Sequence, residues 1–150
     1  MKVTDFTLRE PVVVSCDSTI AQAAETMSEA GVGAVFVTDG DRPVGVVTDR
    51  DIVVRCVARG LAADGRIDGL MTMDLVTLGP DATLEDVLAA FDRHAVRRIP
   101  IVDDDRLVGV ASVDDLLVSV SGHLGEITKV LAAQIMFPHA SDEAATPAVA

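Results

Sequence analysis

The chain has 150 residues, 24 acidic side chains against 12 basic ones for a formal net charge of −12, and four aromatic residues, all Phe. An acidic chain without Trp or Tyr has neither the cationic footprint for phosphate backbones nor stacking platforms for unpaired bases, which excludes direct nucleic-acid binding, and anionic membrane surfaces repel it. Hydrophobic residues make up 49% of the sequence, enough for a packed core and too many for a disordered chain.

The segment Met1–Thr7 has no long apolar run, and no stretch reaches roughly 18 uninterrupted apolar residues, so the sequence predicts neither a leader nor a membrane span and a cytoplasmic location. A helical lead-in around Asp5 precedes a first strand at Val12-Val13-Val14. Ile20, Ala23, Ala24 and Met27 then recur at i, i+3, i+4 and i+7, one buried stripe of a helix. Strands follow at Ala34–Val37 and Val44–Val47, joined by the turn formers Asp39-Gly40-Asp41, and a second helix begins near Asp49.

The same order then starts again. At an offset of 64 residues the sequence matches itself without a gap: Asp17 falls on Asp81, Thr19 on Thr83, Gly45 on Gly109 and Asp51 on Asp115. The second copy supplies a lead-in near Gly69, a strand at Val76-Thr77-Leu78, and a helix with the stripe Leu84, Val87, Leu88 and Phe91. Strands Ile99–Val102 and Leu107–Ala111 flank Asp103-Asp104-Asp105, and a helix starts near Val113. Leu124, Ile127, Leu131 and Ile135 extend or follow that helix to Phe137, and small polar residues from Pro138 predict a disordered tail. The domain reading is therefore 1–62, 63–123, a C-terminal helix 124–137 and a tail 138–150. Copies of about 60 residues bury too little surface alone, so the fold class is mixed α/β (α+β): two tandem β-α-β-β-α repeats packed as one pseudo-two-fold module sharing one core.

Both copies end their last strand in Gly-x-x-Thr/Ser-x-x-Asp, as Gly45-Val46-Val47-Thr48-Asp49-Arg50-Asp51 and Gly109-Val110-Ala111-Ser112-Val113-Asp114-Asp115. The plain account is a helix capping box, since Thr19/Gln22 and Thr83/Asp86 show similar spacing at the other helix. The same atoms also suit a nucleoside phosphate. A helix N-terminus and a hydroxyl receive the phosphate, and a carboxylate one turn in accepts the vicinal hydroxyls of a ribose.

The duplication, the element order, both junctions and Val96-Arg97-Arg98-Ile99-Pro100-Ile101-Val102-Asp103 together resemble a pair of CBS domains, the modules named after cystathionine β-synthase, over Val3 to Ser121. The resemblance implies a cytoplasmic regulatory or sensor module, commonly a homodimer. It binds an adenosine-type ligand (AMP, ADP, ATP or S-adenosylmethionine) between the repeats. It also implies Asp51 and Asp115 as ribose acceptors, Thr48 and Ser112 as hydroxyls near the phosphate, and Arg97 and Arg98 as phosphate-facing cations. Gly33 and Ala34 stand at the positions of Arg97 and Arg98 in the first copy, and Arg50, the one cation inside a junction, is matched by Asp114. The second site is therefore expected to favour phosphate-bearing ligands. With so few aromatics, the base is expected among aliphatic groups, at Val12–Val14, Val76 and Ile99-Pro100.

No catalytic role is expected. His94, His123 and His139 have no metal-ligand spacing, and Gly-x-Ser-x-Gly, Walker-type and Cys-His signatures are missing from the sequence. Cys16 and Cys56, 40 positions apart among apolar neighbours, read as buried free thiols. No bound cofactor or metal is predicted, and any output passes to a separate, unidentified protein target. The rival reading is a ligand-free dimerisation or interaction adaptor of the same fold, because the small, Ala- and Val-rich helices suit a symmetric dimer.

Overall fold

Thr19 shows how each copy begins: its hydroxyl accepts the Gln22 N–H at 3.1 Å while the Gln22 amide oxygen accepts the Thr19 N–H at 2.9 Å, and helix α1 runs from there over Ile20–Ala30. The protein is described as a computed structural model covering residues 1–6 and 8–136; Phe137 and the predicted tail lie outside the described residues. Strand β1 (Val13–Ser15) precedes α1, and β2 (Ala34–Asp39) and β3 (Arg42–Thr48) follow it. The sheet has the order β1-β2-β3, with β1 parallel to β2 and β2 antiparallel to β3. A short helix α2 (Asp49–Asp51) continues as a π-helical turn over Ile52–Val57.

The second copy repeats this order with α3 (Leu84–His94), the antiparallel pair β4 (Arg98–Asp103) and β5 (Arg106–Ser112), and α4 (Val113–Met136). Its first strand shrinks to a single parallel bridge between Leu78 and Ile101. Two prolines account for the loss. In the first copy the Phe36 N–H donates to Val12 O at 2.9 Å and the Cys16 N–H to Thr38 O at 2.9 Å. Their counterparts are Pro100 and Pro80, which have no N–H to give.

Each copy keeps its own apolar core instead of the shared one that the sequence suggests. Val14, Ile20, Ala23, Met27, Val35 and Val47 centre the first, and Val87, Phe91, Ile99, Ile101 and Ala111 the second. What joins them is an exchange of lead-in segments. Val3 and Phe6, which precede the first copy in the chain, are buried in the second core; Ile67 and Leu70, which precede the second copy, are buried in the first. The backbone repeats the exchange two-fold. Val3 N–H donates to Ala82 O at 2.7 Å and Ile67 N–H to Ser18 O at 2.9 Å; Leu84 N–H donates to Met1 O at 3.1 Å and Ile20 N–H to Gly65 O at 2.9 Å. Neither core is complete without the other copy's lead-in, which is the physical basis of the single pseudo-two-fold module.

Leu88 departs from the predicted buried stripe and is 52% exposed. Both cysteines are free, with Cys56 buried and Cys16 half-buried. Helix α4 is one continuous element of 24 residues, about 36 Å at 1.5 Å per residue. Beyond its first turn it leaves Leu117, Leu124, Ile127, Leu131 and Ile135 exposed. Its segment Val113–Ala133 is long and apolar enough to cross a bilayer by length and composition alone. Asp114, Asp115, His123, Glu126 and Lys129 interrupt that segment.

Candidate ligand cleft between the repeats

A cleft opens where the two copies meet, lined by Val12 and Gly33 of the first copy, by Arg98, Ser112 and Asp114 of the second, and by Arg9. Burial decides which predicted residues reach it. On β4 the Arg98 side chain is exposed and lines the cleft, whereas Ile99 and Pro100 are buried, Ile99 completely. On β1 the middle residue, Val14, is turned into the first core, while Val12 lines the cleft. Val14, Ile99 and Pro100 therefore do not line its wall, and neither does the half-buried Val76. Phe36 does reach the wall, so the lining is not purely aliphatic.

The two junctions differ. At the first, Thr48 and Asp51 form a complete capping box: the Thr48 N–H donates to Asp51 Oδ2 at 2.9 Å, and the Asp51 N–H to Thr48 Oγ1 at 3.1 Å. This is the plain capping account, realised. Arg55, one turn on, has Nε 3.6 Å from Asp51 Oδ1 and donates through Nη1 to Leu70 O at 3.1 Å. Arg50 is exposed and does not line the cleft.

At the second junction Ser112 caps α4, accepting the Asp115 N–H at 3.1 Å, and its hydroxyl also donates to Asp115 Oδ2. The carboxylate then turns to a partner 106 residues away. Arg9 Nε lies 2.8 Å from both Asp115 oxygens, and Nη2 lies 2.7 Å from Oδ1. These contacts, the Arg9 guanidinium first and the Ser112 hydroxyl second, hold the Asp115 carboxyl below the usual carboxylate range. Arg97 donates to Asp114 Oδ1 at 2.8 Å, so this cation answers the neighbouring acid and does not itself line the cleft.

Sequence reasoning missed Arg9. Backbone bonds place it: Arg9 N–H donates to Val110 O at 3.2 Å and Val110 N–H to Arg9 O at 3.1 Å, so the segment before β1 runs beside β5 of the other copy. At the first junction the matching bridge joins Val46 to Thr72, which puts a neutral hydroxyl where Arg9 stands. The one available signal was the exchange of lead-ins, which self-alignment of the sequence does not show. Among the described residues no group of three or more His, Cys, Asp or Glu side chains is placed to hold a metal ion.

A family model described as CBS domain matches residues 3–57 and 66–122. The CBS domain-containing protein YhcV of Bacillus subtilis is 36% identical over 117 residues, covering 78% of this chain and 84% of that protein. Hypoxic response protein 1 of Mycobacterium tuberculosis is 34% identical over 100 residues, covering 65% of this chain and 70% of its own. Among solved structures, a CBS domain protein from Pyrobaculum aerophilum complexed with AMP superposes with a TM-score of 0.70 at 28% identity, covering 77% of this chain and 90% of that one. With two matched repeats, the predicted element order and an inter-repeat cleft at the second junction, the chain belongs to the CBS-domain family.

Proposed function

We propose that this protein is a regulatory module that takes an adenosine-type ligand in the cleft at the second junction and passes its occupancy to a separate protein. One observation carries the reading. Arg98 and the Ser112 hydroxyl line one inter-repeat cleft at the start of the 24-residue helix α4, with the Asp115 carboxylate directly behind Ser112, and these are the cation, hydroxyl and acceptor that a nucleoside phosphate needs. The AMP complex of the Pyrobaculum aerophilum relative supports the ligand class. Val12 and Phe36 offer the base an apolar wall with one aromatic ring. No catalytic step is assigned to the chain: its capping hydroxyls and carboxylates bind and position, and the regulatory role accords with its relatives.

In this reading the ligand acts by binding one arrangement of the two copies better than another, since only differential affinity moves such an equilibrium. The output surface is the exposed face of α4. Leu117, Leu124 and Leu131 repeat every seven residues, and Val120 and Ile127 fall between them, the seam of a helix that pairs with another helix. A homodimer through this seam is the assembly proposed. The cytoplasm is the proposed location, with neither membrane nor nucleic acid as partner, in keeping with the net charge of −12.

Calorimetric titration with AMP tests the reading, with Asp115→Asn and Asp51→Asn compared. Asp115→Asn is expected to weaken AMP binding at least tenfold, the size of about one charge-assisted hydrogen bond, and Asp51→Asn much less. A titration of the intact protein with AMP, ADP, ATP and S-adenosylmethionine that gives no binding heat and no thermal stabilisation favours the ligand-free adaptor instead.

A further inference from the structure

The carboxylate that a ribose would use is already taken. A carboxylate offers roughly four lone-pair sites. On Asp115 three hydrogens are already in place, the Arg9 Nε–H shared between both oxygens, Arg9 Nη2 at Oδ1 and the Ser112 hydroxyl at Oδ2, which leaves fewer than the two sites that a vicinal diol needs. Arg9 and Ser112 line the cleft and Asp115 does not. The cleft measures about 170 Å³, below the roughly 300–1,000 Å³ of ligand pockets. The guanidinium that occupies Asp115 also lines this small cleft.

We propose that Arg9 is an internal competitor for the nucleoside site, which a ribose must displace from Asp115, and that this makes the second cleft selective for nucleoside phosphates over uncharged nucleosides. The inference rests on the reading that an adenosine-type ligand enters this cleft. The geometry permits the exchange. The Arg9 backbone is pinned to Val110 in both directions, whereas its side chain is 69% exposed, so the guanidinium can swing without disturbing the fold. Once displaced it remains at the rim beside Arg98, where the carboxylates are Glu10 and Asp114, the latter already engaged by Arg97, and a phosphate is the anion that both guanidiniums can share. A phosphorylated ligand supplies that anion and recovers for Arg9 what it lost at Asp115. An uncharged nucleoside breaks the pair and returns nothing. The first junction has Thr72 at the matching ladder position, so this selectivity belongs to the second cleft alone.

The test is calorimetric titration of the intact protein and of Arg9→Met, which keeps side-chain length without a donor, using AMP and adenosine as paired probes. The expected result is tighter adenosine binding and weaker AMP binding in Arg9→Met, so that the ratio of AMP to adenosine affinity falls at least tenfold. Arg9→Lys keeps the charge but not the paired contact and is expected to fall between the two. Melting curves for each variant verify that it is folded. If both probes bind and Arg9→Met leaves their affinity ratio unchanged, the competitor role is wrong while the ligand reading stands. If neither probe binds the intact protein or the variant, the ligand reading fails and the inference falls with it.

Discussion

Leu8 lies across Gly109 of β5, so close that a Cβ on the glycine would sit 3.0 Å from Leu8 Cδ1 and 3.2 Å from its Cβ. The other copy mirrors the contact: a Cβ on Gly45 of β3 would meet Met71 at 2.5 Å from Sδ and 2.9 Å from Cγ. These glycines let the exchanged lead-ins pass over the neighbouring sheet. Gly109→Val and Gly45→Val are each expected to lower stability by about 1–3 kcal/mol through overpacking, read from urea unfolding. Gly109→Val should also loosen the Arg9–Asp115 contact, whereas Gly45→Val should not. Unchanged midpoints for both variants would show that the lead-ins have room to spare.

The two first helices end differently. Helix α1 stops at Gly31 with φ +64°, and α3 stops at its counterpart Ala95 with φ +51°, in the left-handed region where a Cβ is crowded. Ala95→Gly is therefore expected to stabilise the protein by about 1 kcal/mol despite the added chain entropy of glycine. Thermal unfolding reads this as a rise in Tm of a few degrees. A lower Tm would mean that the Ala95 methyl group packs better than its backbone strain costs.

The self-alignment exposed most of the fold because both copies obey the same local rules. The stripes Ile20–Met27 and Leu84–Phe91 are helices, both Asp-rich turns close hairpins, and Thr19 and Thr83 cap as their spacing predicts. The loss of the second copy's first strand was written in Pro80 and Pro100, although hydrophobicity at Val76-Thr77-Leu78 pointed the other way. What periodicity does not carry is which copy a segment packs on. Val3 and Phe6 align with Ile67 and Leu70, and Leu8 and Met71 take matching places on Gly109 and Gly45 one residue out of that register, yet each trio serves the opposite core. Arg9 follows them across, and so the cation facing Asp115 came from a stretch with no repeat signal of its own. The motif points to Ile99, Pro100 and Val14 at the ligand, but all three are buried, Val14 and Ile99 within the two cores.

The exposed seam of α4 gives a separable prediction. A protein with Leu117, Leu124 and Leu131 open to water gains by burying them against a second copy, at about 25 cal/mol per Å2 of apolar surface. Leu124→Glu and Leu131→Glu place like charges across a two-fold seam and are expected to convert a dimer to a monomer in sedimentation equilibrium. AMP affinity should fall by less than about threefold, since the cleft lies at the start of α4 and these residues lie two turns or more beyond it. A monomeric intact protein at micromolar concentration would remove the seam from the proposal.

Acid should unfold the protein through a small set of carboxylates. Asp115 is held below the usual carboxylate range by Arg9 and then Ser112, and Asp86 by the Thr83 backbone N–H and then its hydroxyl. In the unfolded chain both titrate near about 3.9. Because the folded values are lower, the stabilisation is complete above the unfolded value and is lost as pH falls through the folded ones. Urea midpoints are therefore expected to stay level from pH 7 to about 5 and to drop below about 4, where these carboxylates protonate. Asp115→Asn, which cannot titrate, should be less stable than the intact protein at pH 7, with the gap narrowing as pH falls below about 4. A stability gap that does not change over that range would mean that Asp115 contributes packing alone and that its charge pairing with Arg9 adds nothing to the folded state.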